Sequence, residues 1–453
     1  MFLLLIFILF IFYWFQGKRV WALVWLFIYL ANGFGIRYIS NTLINSYNVI
    51  FLFGNAILLI KLNSGELHKI WYTDKFAKFL LCTYIFLLLH CLVTIIGQWD
   101  SLKLATSVLR QTFAYFLLYF ILKDVHPNEI LSALKKIAII IATLSICYAL
   151  RYIGINIYEI PENQKAFADE ITRIGIPNGL EFFTIFAIIF SAKRINVLPY
   201  LIPLLGGAMR GAIMSLIVGF AWIFRSKVKH IRTFIIMGGL CFIIYFIYIN
   251  FFLEEFNRYD ISFTQEIFSA IDSSVILDPS SFVQGDNFNF RENGTFSFRI
   301  ALLAERIIYL LQNPLTLPFG VGMISEESAS QYFYFILGTA NEELKYGYGL
   351  ITTNDILWPT YILRFGLMGI IFWILYFKKS YNCIKQTSNL PLAKVGMIYI
   401  VYLIFHSFGT DMPQRPYSIF LLFLVIIYCQ KKQFINSESD KHNGRHFNYN
   451  CNI

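Results

Sequence analysis

Apolar stretches separated by short polar connections run through most of this chain. A transmembrane helix takes about 20 apolar residues, and thirteen runs come near that length. The runs lie at 2–16, 20–34, 48–62, 77–97, 104–122, 132–154, 179–192, 195–208, 210–225, 231–251, 354–377, 393–409 and 417–430. Those between 179 and 225 are short, so two of them could form one broken or re-entrant element. The pattern predicts an all-α, polytopic transmembrane helical bundle of about 12 to 13 spans.

One connection is far longer than the others and polar. It covers about a hundred residues, 251–353, and is rich in Asp, Glu, Ser, Asn and Gly. Loops of this length usually carry function or are disordered. The chain is therefore divided into transmembrane helices in 1–250, a large external loop in 251–353, C-terminal transmembrane helices in 354–430 and a polar cytoplasmic tail in 431–453.

Basic residues collect in alternate connections between the apolar runs, from Lys18 and Arg19 to the tail after Lys431. Cytoplasmic loops of membrane proteins retain Lys and Arg. Thirteen spans with the N-terminus outside and the C-terminus inside agree with this alternation, and they put the 251–353 loop outside.

Composition excludes a water-soluble globular protein. The chain is 57% hydrophobic and only 14% charged, whereas soluble domains carry about 25% charged residues. The net charge of +10 is scattered among the apolar runs, so it indicates orientation in a bilayer rather than nucleic-acid binding. Because no HExxH motif and no His/Cys cluster occurs in the sequence, we expect neither a metal site nor a cofactor.

Arg299 and Arg306 are candidate anion-binding residues. They lie seven apart in the apolar stretch 296–312, and at about 100° per residue they project from nearly the same side of a helix. Two guanidiniums on one stripe could grip a diphosphate bidentately, although an interfacial helix with snorkelling arginines has the same spacing. Gly320 and Gly322 in PFGVG follow this stretch and would allow a ligand to come close, or would simply end the loop.

Other arginines lie beside turn residues at predicted external helix ends. Arg210 stands in GGAMRGAI, where the free N–H groups of a helix start favour an anion. Arg173 resembles it in TRIGIPNG, and Arg291 belongs to the same loop as Arg299. We expect Arg173 and Arg291, like Arg306, to contact substrate.

Charged residues inside apolar runs are costly and normally face a partner or a water-filled cavity. Arg110 and Arg364 are such residues, and Arg110 could pair with a carboxylate such as Glu181. The external loop has no histidine, so a general base would have to be a carboxylate. Glu305, beside Arg306, and Asp355, at the mouth of a predicted span, are the best-placed candidates.

Four short segments occur in a characteristic order. They are RIGIPNG at 173–179, MRGA at 209–212, FRIALLAERI with NPLTLPFGVG at 298–322, and NDILWPTYILRFGLMGII at 354–371. This ordered set resembles the Wzy-type O-antigen polymerase family and, more broadly, the superfamily that it shares with O-antigen ligases. The resemblance covers roughly residues 100–430 in layout.

The resemblance implies a multi-pass protein of the bacterial inner membrane with a periplasmic or extracellular loop. It implies a metal-independent glycosyltransferase that joins undecaprenyl-diphosphate-linked oligosaccharide units of O-antigen, capsule or exopolysaccharide. Arg210 and Arg299 would then be catalytic residues that hold the diphosphate, and a chain-length regulator and a flippase would be protein partners. The segment TTND before the span at 354 lacks the His that ligases carry, which favours polymerase over ligase. A ligase, or a lipid-linked oligosaccharide flippase or transporter, remains an alternative.

Overall fold

The computed structural model describes most of the helical part of the chain and pieces of the long loop. The described residues are 2–35, 46–97, 100–150, 177–191, 194–206, 210–224, 283–284, 287–288, 295–326, 328–329, 335, 337 and 356–442. They form fifteen α-helices and, within the long loop, one antiparallel pair of two-residue strands, β1 (Val283–Gln284) and β2 (Asn287–Phe288). The predicted all-α helical bundle is confirmed.

The helices follow the order of the apolar runs. They are α1 (Phe2–Phe15), α2 (Arg19–Leu30), α3 (Ser46–Asn63), α4 (Glu66–Thr73), α5 (Lys75–Ile96), α6 (Leu102–Phe113), α7 (Leu118–Leu122), α8 (Pro127–Leu150), α9 (Leu180–Phe190), α10 (Leu198–Gly206), α11 (Arg210–Phe224), α12 (Thr295–Gln312), α13 (Trp358–Lys385), α14 (Pro391–His406) and α15 (Pro416–His442).

Twelve of the thirteen predicted spans coincide with helices in this set, and the run at 231–251 lies outside the described residues. In the described part of the chain, six helical segments, among them the combined α6–α7 segment, are long and apolar enough to cross a membrane, and six shorter helices are apolar as well. The chain is therefore a multi-pass membrane protein. One detail differs from the prediction, since the run at 104–122 is interrupted by a 3-10 turn at Ala114–Leu117. The three short runs between 179 and 225 each form a helix of their own, as the count of thirteen runs predicts.

Helices α14 and α15 occupy the middle of the bundle, and nearly all their side chains up to Cys429 are buried. Among the described helices, the most extensive contact is that between α11 and α14. Small residues four apart, Gly211, Ser215 and Gly219, line the contact face of α11, and a Cβ on Gly219 would stand 3.0 Å from the carbonyl oxygen of Ile398. Small residues allow such close approach in membranes. The contact sets the start of α11 against the C-terminal end of α14.

One end of the bundle is held by a buried ionic cluster around Asp74, which lies between α4 and α5. Its Oδ1 accepts hydrogen bonds from the backbone N–H groups of Phe76 and Ala77, both at 3.0 Å. Its Oδ2 accepts from Lys123 Nζ at 2.5 Å and from the Tyr119 hydroxyl at 2.6 Å. Burial raises the pKa of Asp74, but Lys123 and these hydrogen bonds outweigh it and lower the pKa below its usual value.

The Asp74 cluster also reaches α15, because Gln430 Nε2 lies 3.4 Å from Asp74 Oδ1. Nearby, Lys61 at the end of α3 pairs with Asp124 at 2.7 Å. These contacts tie the connections at 61–75 and 122–127 to α15. Gln430 is about four turns along α15 from Pro416, so the cluster lies at the opposite end of the bundle from the start of α15.

The long loop is joined to the bundle where α13 is broken. Gly366 has φ 58° and ψ −141° inside α13, so the helical hydrogen bonds stop there. The segment 317–322 runs alongside the break and supplies partners. Val321 N–H donates to Leu363 O and Gly322 N–H to Arg364 O, both at 2.9 Å, while Leu367 N–H donates to Leu317 O at 3.0 Å. The loop segment therefore satisfies backbone groups that the break in α13 leaves open.

We expect Gly320→Ala to destabilise the protein strongly. Gly320 has φ +69°, and a Cβ there would overlap the carbonyl oxygen of Leu363. Strain plus the clash should lower the free energy of unfolding by about 3 kcal/mol. Gly65→Ala is the matched control, because Gly65 has φ +74° but nothing within 4 Å of the added Cβ, and it should cost about 1 kcal/mol. Thermal unfolding in detergent, followed by tryptophan fluorescence, measures both. Equal losses would contradict the close contact at Gly320.

We expect Asp74→Asn to lower stability at neutral pH by about 2 to 3 kcal/mol, because it leaves the partly buried Lys123 without its counter-charge. Asp74 has a lowered pKa, so its stabilisation is complete above the unfolded value of about 4 and is lost as pH falls through the folded value. The variant should therefore show a weaker acid dependence of its unfolding temperature. Asp124→Asn, which removes an exposed partner of Lys61, should cost under about 1 kcal/mol. An acid dependence in Asp74→Asn equal to that of wild type would refute this role.

Candidate functional site

Charged side chains from distant segments meet at the end of the bundle opposite Asp74. We call this group the arginine cluster, and it consists of Arg299, His406, Asp411, Arg415 and the first turn of α11. Helices α11, α12 and α14 and the connection 407–415 contribute to it.

Arg299 lies in the first half of α12 and is partly exposed. Its Nη1 stands 3.9 Å from the position of a Cβ on Gly409, so the guanidinium lies against the turn that follows α14. Within the described part of the chain, this guanidinium makes no ion pair and no hydrogen bond. Arg299 therefore has its donors available for an anion.

His406 is the last residue of α14 and only 6% exposed. Its ring stacks on Tyr402 with centroids 4.9 Å apart, and its Nδ1 faces Gly211, where a Cβ would lie 3.8 Å away. The backbone of Gly211 is a hydrogen-bond partner of the His406 imidazole, although the contact falls outside ordinary hydrogen-bond geometry. The charges of both Arg299 and Arg415 act on the imidazole. His406 thus marks the point where α11, α12 and the 407–415 connection meet.

The first turn of α11 supplies positive electrostatic potential to the same place. The described part of this helix starts at Arg210, and the N–H groups in the first turn of a helix have no partner inside the helix. Such a terminus favours an anion. The backbone of Arg210 is described, whereas its side chain lies outside the described part of the structure.

Arg415 immediately precedes α15, and its guanidinium pairs with Asp411. Its Nε donates to Asp411 Oδ1 at 2.8 Å, and Nη2 stands 2.8 Å from the same oxygen. The Arg415 side chain is 41% exposed, whereas that of Asp411 is 11% exposed. Burial lowers the pKa of Arg415, but Tyr417 and Asp411 raise it above its usual value. Arg415 is therefore a firmly charged and accessible cation.

Glu181, in the first turn of α9, is a buried carboxylate close to this cluster. It is 4% exposed, its Oε2 has no hydrogen-bond partner among the described residues, and Arg415 and Tyr402 lie within its electrostatic reach. The expected pairing of Glu181 with Arg110 is wrong, since no ion pair joins these two described residues. The reason is helix packing: α6, which carries Arg110, packs against α3 and α5, while α9 packs against α14 and α10.

Arg306 and Glu305 form a second, separate group. The Arg306 side chain is 1% exposed and pairs with Glu305, its Nη2 donates to Leu337 O at 2.6 Å, and it stacks 3.7 Å from the Phe335 ring. Burial lowers the pKa of Arg306 to about 10. Glu305 also accepts from Leu337 N–H at 3.2 Å. These contacts hold the 335–337 part of the loop on α12.

The two arginines expected to share one anion therefore have different neighbours. Arg299 lies against the turn after α14, while the Arg306 guanidinium is enclosed by Glu305, Phe335 and Leu337. A seven-residue spacing predicts that two residues lie on the same side of a helix, but it does not predict where the ends of two long side chains point. Substrate binding by Arg306 and proton transfer to Glu305 stay predictions.

Gly320 and Gly322 contact protein backbone and side chain rather than an open pocket. Gly320 lies against the Leu363 and Arg364 backbone, and a Cβ on Gly322 would stand 2.5 Å from Thr94 Oγ1. The same Thr94 hydroxyl accepts a hydrogen bond from Met323 N–H at 2.7 Å. Close packing against α13 and α5 accounts for both glycines, and their assignment to substrate binding stays a prediction.

Arg364 has an ion-pair partner, as expected of a charged residue inside an apolar run. It is buried in α13, and its Nη2 pairs with Glu326 at 3.2 Å.

Arg173, Arg291 and Asp355 lie outside the described residues. Among the residues that are described, no group of three or more His, Cys, Asp or Glu could hold a metal ion.

The sequence reasoning missed His406, Asp411 and Arg415. The connection 409–416 contains Arg415 directly before an apolar run. This is the same signal that singled out Arg210, a cation at the external start of a predicted span, and it could have identified Arg415. Nothing in the sequence pattern brings His406 to Arg299.

The chain was also compared with known proteins. No protein-family model, curated protein or solved structure matches it. The arginine cluster is therefore interpreted from its own geometry and from the motif resemblance.

Proposed function

We propose that this protein is a membrane polysaccharide polymerase. It joins undecaprenyl-diphosphate-linked oligosaccharide repeat units of O-antigen, capsule or exopolysaccharide, as a glycosyltransferase that needs no metal. In this proposal the chain lies in the bacterial plasma membrane with the arginine cluster at the external face, and a flippase and a chain-length regulator work beside it.

The meeting of Arg299 and the start of α11 at His406 is the observation that carries the proposal. Arg299 has no ion pair in the described part of the chain, and α11 begins at Arg210. These are the two arginines to which the motif resemblance assigns the diphosphate. A cationic group without a counter-charge, beside the N-terminus of a helix, is suited to an anionic ligand.

The chemistry of the reaction requires such a group. A hydroxyl of the acceptor glycan attacks the anomeric carbon of the donor sugar, and the bond from that carbon to the diphosphate oxygen breaks. The electron pair leaves with the lipid diphosphate, whose charge grows in the transition state, and the hydroxyl proton passes to a base. Cations already held in place stabilise the growing charge, and one such contact contributes about 3 to 4 kcal/mol.

The location of the cluster is suited to a lipid-linked donor. It stands at the ends of the apolar helices α11 and α14, so a diphosphate at the membrane surface can reach it while the prenyl chain stays in the bilayer. Glu305 and Asp355 are the candidate bases. Glu305 accepts hydrogen bonds from Arg306 and from the Leu337 N–H.

Deletion of the gene, followed by complementation, tests the proposal on a polysaccharide gel. Wild type should restore a ladder of polymer, while Arg299→Ala should reduce polymer by about 100-fold because a transition-state contact is lost. Arg299→Lys should recover part of the ladder, since the charge remains but the bidentate geometry does not. Lys103→Ala, at an exposed cation in the first turn of α6, is the control and should behave as wild type.

The same gel separates the alternatives. Single capped repeat units in the deletion strain support a polymerase. Polymer that forms but is never attached to its final acceptor would indicate a ligase, and units that stay on the cytoplasmic side would indicate a flippase. An unchanged ladder with Arg299→Ala would remove the arginine cluster from the proposed site.

A further inference from the structure

We propose that Arg415, held in place by Asp411, is a third cationic residue of the diphosphate site. This inference rests on the proposed function and extends its binding site to the connection between α14 and α15. The ligand class is a diphosphate monoester or diester, as carried by a lipid-linked sugar donor.

The pairing with Asp411 leaves the Arg415 guanidinium accessible to a further acceptor. A guanidinium has five N–H donors in a planar fork. Asp411 Oδ1 takes the Nε edge and faces Nη2, while the carboxylate's other oxygen accepts from Gln414 Nε2 at 3.3 Å. The Tyr417 side chain also hydrogen-bonds Arg415, and the Arg415 side chain is still 41% exposed. Asp411 therefore orients Arg415 without enclosing it.

Arg415 and Arg299 approach the same point from different elements. Both act electrostatically on His406, whose buried Nδ1 faces the first turn of α11 at Gly211. The Arg299 guanidinium lies against Gly409, two residues before the Asp411 that holds Arg415. Both cations thus reach the connection that follows His406. An anion placed among them would relieve the mutual repulsion of these positive groups.

The nearby carboxylates do not fill that position. Asp411 is engaged with Arg415 and Gln414. Glu181 is buried, with only 4% of the residue exposed, and lies near tyrosines within electrostatic reach of Arg415. Arg299 forms an ion pair with neither carboxylate. Among the described residues no other carboxylate pairs with it, so its guanidinium is available to an external anion.

The test measures binding of inorganic pyrophosphate to the purified full-length protein in phosphatidylcholine nanodiscs, by titration calorimetry. Arg415→Ala should weaken binding by about 10- to 100-fold, the usual effect of losing a charged hydrogen-bond donor. Arg299→Ala should do the same. The double variant should lose less than the product of the two single losses, because residues that hold one ligand are coupled. Lys103→Ala should bind as wild type.

Arg415→Lys guards against a variant that fails to fold. It keeps the charge beside Asp411 but not the fork, so it should unfold at nearly the wild-type temperature and still bind pyrophosphate several-fold more weakly. Wild-type affinity in both Arg415→Ala and Arg415→Lys, with binding lost in Arg299→Ala, would overturn the inference. Independent, fully multiplicative losses in the double variant would overturn it as well.

A second arm distinguishes lipid-linked from free diphosphate. Geranylgeranyl diphosphate is added to the nanodiscs, with geranylgeraniol as the control, and its competition with pyrophosphate is measured. Competition that weakens in Arg415→Ala supports a lipid-linked diphosphate at this residue, whereas its absence with intact pyrophosphate binding supports a free anion. Pyrophosphate binding does not depend on the polysaccharide ladder. A normal ladder in the deletion strain would therefore end the proposed function alone, and unaltered binding in the Arg415 variants would end this inference alone.

Discussion

Backbone N–H and C=O groups in a bilayer must find partners inside the protein, because no water is there to receive them. The break of α13 at Gly366 leaves such backbone groups without partners inside the helix, and the 317–322 segment supplies partners through hydrogen bonds to Leu363 and Arg364. This contact docks the long polar loop onto the membrane helices. It also determines where α12 can lie, since α12 ends at Gln312, five residues before the docked segment.

The two ends of the bundle differ in how their charges are used. Around Asp74, Lys123, Tyr119 and Gln430 bond to one another, so that the buried charges are compensated. At the opposite end, Arg299 lacks a counter-charge among the described residues, and the buried Nδ1 of His406 faces the first turn of α11. A compensated cluster stabilises the fold, whereas an uncompensated guanidinium beside a helix start is the arrangement expected of an anion-binding site.

Individual residues show how far the sequence could be interpreted. A charge in an apolar run must have a partner, and this was correct for Arg364 but could not identify Glu326, which lies in another segment. The same reasoning applied to Arg110 chose Glu181 wrongly, because the neighbours of a helix are not readable from its own pattern. The common helix face of Arg299 and Arg306 followed from the helical period, yet the ring of Phe335 and the backbone of Leu337 determine where the Arg306 guanidinium points.

The sequence by itself determined the class of the protein and the positions of its helices, since the length and hydropathy of a span are local properties that the bilayer selects directly. It also predicted that Arg210 stands at the start of a helix. Only the tertiary structure decided that Arg299, His406, Arg415 and the start of α11 meet. Their meeting depends on close packing of α11 against α14 and on hydrogen bonds between distant backbone segments. Neither feature produces a hydrophobic period or a compositional bias that could be detected in the sequence.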